Sequence, residues 1–216
     1  MTTATLSTTT RPGLTADLLE ETAGASGLFP LDLTLPEDRE ADLSRVREAA
    51  VMILGQGEAL LLTLTTASYV RKVPAVFNAS MGGHYRHCLD HFSSLLDGLG
   101  LGLGWVDYDH RERDGRVEGD PGFALELTRR LRHQVEQLPL GFLDAPVRAR
   151  CEVSYEHGNS PVAMSTAGRE LVYCIAHAIH HYALISVMAR LLEVALPGHF
   201  GVAPSTVAHQ AKAGRG

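Results

Sequence analysis

The chain has 216 residues, 45% of them hydrophobic and 20% charged, which suits one compact core in one or two domains. A net charge of −6 argues against a nucleic-acid binder, whose footprint is a basic patch. Three cysteines, Cys88, Cys151 and Cys174, cannot all pair and have no CxxC spacing, so buried free thiols in a reducing compartment are expected.

The start, MTTATLSTTTRPG, carries no apolar run of the signal-peptide kind, and a cytoplasmic location is the expectation. Residues 1–42 read as a partly disordered N-terminal extension, with a short helix near Thr15–Thr22 and an extended stretch over Leu28–Leu35. From 43 to 71 the pattern turns helical: Val46, Ala50, Ile53, Gly57, Leu60, Leu64 and Ala67 form a seam facing other helices. The apolar window Ala49–Val70 contains Gln56 and Glu58, so it reads as a bundle helix and no membrane partner is expected.

A second helix should start at Asn78 or Ser80, both good N-caps, and run to about Leu96. Its apolar stripe is Tyr85, Cys88, Leu89, Phe92, Leu95, Leu96 and Leu99. Segment 100–120 reads as a charged loop. Asp120-Pro121, an N-cap followed by proline, announces a third helix that ends before Pro139. The alternating piece 148–156 and the turn signal His157-Gly158-Asn159-Ser160-Pro161 predict a short hairpin. A fourth helix should run from Ser165 or Thr166 to Val194. It is apolar on nearly every side and so is expected to be the most buried element. The fold class expected is all-α: a four-helix bundle over 43–206, a β-hairpin inserted before the last helix, and a C-terminal tail over 207–216.

Six of the eleven histidines fall in two of these helices: His84, His87 and His91 in the second, His177, His180 and His181 in the fourth. His177 and His181 are four apart, so their rings share a face one turn apart and can grip one divalent ion. His180 points about 60° away from His177. On the second helix, His84, His87 and His91 roughly share a face. Amphipathicity slightly favours His84 and His91 over His87, and the pattern alone does not choose among them.

The strings H87-C-L-D90-H and H177-A-I-H180-H181-Y-A-L are similar to the two signatures of the DinB-like superfamily. The resemblance covers about residues 43–206, including the F200-G-V-A-P-S-T tail. It implies a four-helix bundle holding one divalent metal (zinc, nickel or iron) on His87, His177 and His181. Three neutral imidazoles leave a position open for water or substrate. Proteins of that family include transferases that use low-molecular-weight thiols. Metal-dependent thiol transfer, with such a thiol as co-substrate and a small molecule as acceptor, is therefore the activity implied.

Around those ligands, Asp90 is a candidate to orient an imidazole, against a solvated helix residue, and Tyr85 and Tyr173 are candidates to line the pocket, against plain core residues. A second reading is a non-catalytic, metal-stabilised homodimer that recruits His91 or Cys174 to close the coordination sphere. A third is a metal-dependent hydrolase with Glu170 as its base. No GxSxG, HExxH, P-loop or dinucleotide fingerprint is present.

Overall fold

The chain is seen as a computed structural model that describes residues 38–100, 102, 104–109, 114–155 and 160–213. The expected features at residues 15–35 lie outside these. Helix α1, Arg39–Leu61, opens with Asp38 accepting from the Ala41 amide, and Glu40 and Asp42 complement its positive end. The single helix expected over 43–71 is instead two. The Thr63 hydroxyl donates to the Leu60 carbonyl where α1 ends. Thr65 and Ser68 then cap each other's backbone amides to start α2, Thr66–Val70.

Helix α3, Met81–Gly100, starts where the Ser80 hydroxyl accepts from the Gly83 amide. After it come strand β1, Trp105–Asp107, and the short helix α4, Gly115–Gly119. Helix α5, Pro121–Gln137, is capped by Asp120, whose carboxylate accepts from the Gly122 amide, with proline at its first position. A 3-10 turn, Leu140–Asp144, leads to strands β2, Pro146–Arg150, and β3, Val162–Thr166. Thr166 then caps helix α6, Ala167–Leu191, by accepting from the Arg169 amide. Helix α7, Pro204–Ala213, lies in what the sequence reads as tail, and none of its residues is buried.

The four long helices pack in a ring, α1 against α5 and α6, and α3 against the same two. The chain is nevertheless not the all-α four-helix bundle expected from the periodicities. A mixed three-stranded sheet, ordered β1-β2-β3, packs on it. Strand β1 runs parallel to β2 with Trp105 opposite Arg148, and β2 runs antiparallel to β3 with Arg148 opposite Met164. Periodicity finds a hairpin here, whose strands are close in sequence, but of the alternating run 148–156 only the part up to Arg150 is strand, and residues 156–159, at the expected turn, lie outside the described residues. It does not find β1, three residues in a charged loop whose partner is 43 positions on (148 minus 105).

Glycines let these layers close. A Cβ at Gly98 would run into the Trp105 carbonyl, so this residue is what allows β1 to lie against α3. Helix α6, by length and composition, is apolar enough to cross a membrane, but it packs as a core helix and carries three histidines. Contrary to the expectation from its composition, it is not the most buried element. Val172, Val187 and Leu191 are exposed on it, while α3 buries 12 of its 20 residues. The reason is that α3 is covered by helices on two sides and by β1 and α4 as well.

Candidate metal centre

Helices α3 and α6 face each other with opposite chain directions, and their histidines interleave. His84 meets His181, His87 lies between His177 and His181, and His91 stacks on His177. The rings of His87, His177 and His181 form a near-equilateral triangle, with centroid separations of 4.8, 4.8 and 4.6 Å. One nitrogen from each comes within 4.8 Å of the other two, and all three side chains are half-buried. Nitrogens sharing a zinc-like ion at about 2.1 Å sit roughly 3.4 Å apart, so small side-chain rotations bring these three onto one centre.

The rings neighbouring this triangle are otherwise engaged. His91 is buried and donates from Nδ1 to the His87 carbonyl at 2.9 Å, and its ring lies 4.0 Å from that of His177. His84 and His181 share a hydrogen bond, Nδ1 to Nδ1, at 2.9 Å. His180 is exposed, with its ring 5.1 Å from that of His181. Burial, and then the neighbouring His177, His84 and His180, push the His181 imidazole down to about 3. Burial, and then His180, also lower His84. Near neutral pH, His181 is therefore an uncharged imidazole with a lone pair to give, which is the form a cation needs.

Two rings of the triangle, His87 and His177, line a polar cavity of about 450 Å³. Tyr108, Asp109, Cys151, Glu152, Ser160 and Tyr173 line it together with His87, His91 and His177. The sheet brings most of these together. The Tyr108 amide donates to the Arg150 carbonyl, and Asp109 accepts from the Glu152 amide at 2.9 Å. The loop after β1 is thereby tied to the end of β2. Tyr108, Asp109, Cys151 and Glu152 were missed as site residues in the sequence. Their signal is a pairing between distant strands, which no local pattern carries.

Other residues singled out in the sequence lie elsewhere. Tyr85 is fully buried in the core, where its hydroxyl bonds that of Thr128 at 2.9 Å. Asp90 accepts from Arg86 at 2.8 Å and lines a separate, larger cavity of about 520 Å³ that contains none of the six histidines. Glu170 is buried and accepts from the Tyr108 hydroxyl at 2.9 Å. Cys174 is buried and donates to the His91 carbonyl at 3.6 Å, and burial raises its thiol to about 12. Of the two candidate pocket tyrosines, Tyr85 is thus core and Tyr173 lines the cavity, its ring 5.7 Å from that of His177.

No family model matches this chain, and no solved structure matches it. A curated relative, FK506-binding protein 5 of Rhizopus delemar, is 36% identical over 104 residues. The matched stretch is 48% of this chain and 27% of the relative, so the chain spans only about a quarter of that protein. The similarity found is to part of an FK506-binding protein and not to a DinB-like one, and it overturns the resemblance to the DinB-like superfamily. With it falls the thiol transferase that the resemblance implied, and the match does not support the two other readings either, the metal-stabilised dimeric bundle and the hydrolase.

Proposed function

We propose that this chain binds one divalent cation through His87, His177 and His181 and presents it to a small polar molecule in the adjoining cavity. A single observation carries the reading: three imidazoles from two helices converge within 4.8 Å of one another, and two of them line a polar cavity. Its support is this chain's own geometry, since the curated relative is named for FK506. Imidazole donors suit zinc, nickel, iron or copper alike. The protein's part is to hold three neutral rings toward the cation and shield them. Elemental analysis of purified protein beside the His177→Ala/His181→Ala double variant tests it. About one cation per chain is expected in the first and none in the second. Equal content in both refutes the site.

The partial match to FK506-binding protein 5 supports a second reading, peptidyl-prolyl isomerase or chaperone-like action on proline-containing peptides. Uncatalysed Xaa-Pro isomerisation takes tens of seconds or longer, so catalysis is readily measured. Acceleration by the purified chain, abolished by FK506, is the expected outcome. An unchanged rate with no FK506 binding removes this reading and leaves the cation site standing.

A further inference from the structure

We propose that His84 is the positioning residue of the cation site, its Nδ1 accepting the Nδ1–H of His181 so that His181 turns a bare Nε2 to the cation. This rests on the cation reading above. The two Nδ1 atoms are 2.9 Å apart, and a hydrogen bond between imidazole nitrogens holds one hydrogen. If His84 donated it, neutral His181 would carry its own hydrogen on Nε2 and have no lone pair to give. If His181 donates it, Nε2 is bare. A cation on His181 therefore selects the second arrangement, and His84 in turn favours the cation.

His84 is held for this role by its place in the helix. It lies one turn before His87 on α3, and the opposite run of α6 sets it against His181, one turn after His177. Its Nδ1 is engaged by another ring, and the group of converging nitrogens comprises residues 87, 177 and 181. His84 is thus beside the site and acts through its neighbour. Ring orientation in a ligating histidine is set by the partner of its other nitrogen, and removal of such a partner costs metal affinity about 10- to 100-fold.

The test uses the full chain and Co²⁺, with affinity from competition against a chelator and the visible absorption band as a reporter of geometry. His84→Phe keeps the ring and removes the acceptor. It should weaken Co²⁺ binding about 10- to 100-fold and shift the band, with the melting curve of the cation-free protein little changed. His84→Asn places a carbonyl oxygen where Nδ1 stood and should restore most of the affinity. Equal affinity in His84→Phe and the unmodified chain overturns the inference, as does equal weakening by Phe and Asn. Failure of the unmodified chain to bind Co²⁺ overturns the cation reading itself and this inference with it. Should His84→Phe not fold, ¹⁵N shifts of the His181 ring in the Zn²⁺-loaded unmodified chain decide. Protonated Nδ1 with metal-bound Nε2 supports the role, and the reverse ends it.

Discussion

Removing the Tyr108 hydroxyl should expose how much of the cavity wall hangs on one buried hydrogen bond. Tyr108 is 2% exposed and Glu170 8%. The phenol donates to Glu170 Oε2 at 2.9 Å, with Cys174 Sγ as a weaker neighbour at 3.8 Å. Losing one partner of a buried hydrogen bond costs roughly 1.5–3 kcal/mol, because the acceptor is left dry. Tyr108→Phe keeps the ring that stacks on His91 at 5.2 Å, so packing is retained and only the bond is lost. For a chain of this length each kcal/mol is worth about 2–4 °C, so the melting temperature should fall by roughly 3–12 °C. Glu170→Met strands the phenol instead and should cost about 1–3 kcal/mol. The double variant removes both partners, so its loss should be smaller than the sum of the two. Urea unfolding at pH 7 on the four proteins measures the coupling. A value of about 1.5–3 kcal/mol is expected, and additivity within about 0.5 kcal/mol would refute the argument.

Three further outcomes follow from the same geometry. A divalent cation at a hundredfold excess over its dissociation constant should add about 2.7 kcal/mol of stability, or roughly 5–11 °C in melting temperature. Scanning calorimetry should find no such rise in His177→Ala/His181→Ala. In the cation-free protein, His181 is held neutral down to about 3, while in the unfolded chain it protonates near its ordinary value of 6.5. Its contribution is therefore flat above about 6.5 and is lost as pH falls toward 3. Urea midpoints from pH 8 to 4 should drop less in His181→Gln, and identical profiles would contradict the burial argument. Gly57→Ala would press a Cβ into the hydroxyls of the buried Tyr85 and Tyr182, and overpacking of about 1–3 kcal/mol outweighs the up to ~1 kcal/mol gained in helix propensity. Gly55→Ala, whose Cβ meets only Arg132 Nη1 at 4.0 Å, should be neutral or stabilising by the same denaturation assay.

Much of the helical frame was legible because its signals are local. Asp120-Pro121, Ser80 and Thr166 each announce a helix start that a capping side chain then makes. The pairing of His177 with His181 is legible for the same reason, since four residues fix one face. The choice among the helix α3 histidines is not. Amphipathicity ranks His84 and His91 nearer the core, and His91 is indeed buried, yet His87 completes the triangle. How two helices interdigitate decides which ring meets which, and the period of one helix does not encode the offset of its neighbour. Strand β1 fails for a related reason. Trp105-Val106-Asp107 has too few residues to alternate, and its hydrogen-bond partners lie beyond an entire helix. The break after Leu61 was readable in principle, because Thr65 and Ser68 form a capping pair inside the apolar run.

Among the described residues, strand β1 pairs with no segment close to it in sequence. Its parallel partner is reached only after α4, α5 and the 3-10 turn have folded back and returned the chain to its side. Loop closure over such a span is costly before any ladder rewards it, so this edge should register late during refolding. Amides at Val106 and Tyr108 would then gain protection from deuterium after those inside α3. The wall that carries Asp109 and Glu152 would be the last part of the cavity to set, enclosing histidines that the helices had already aligned.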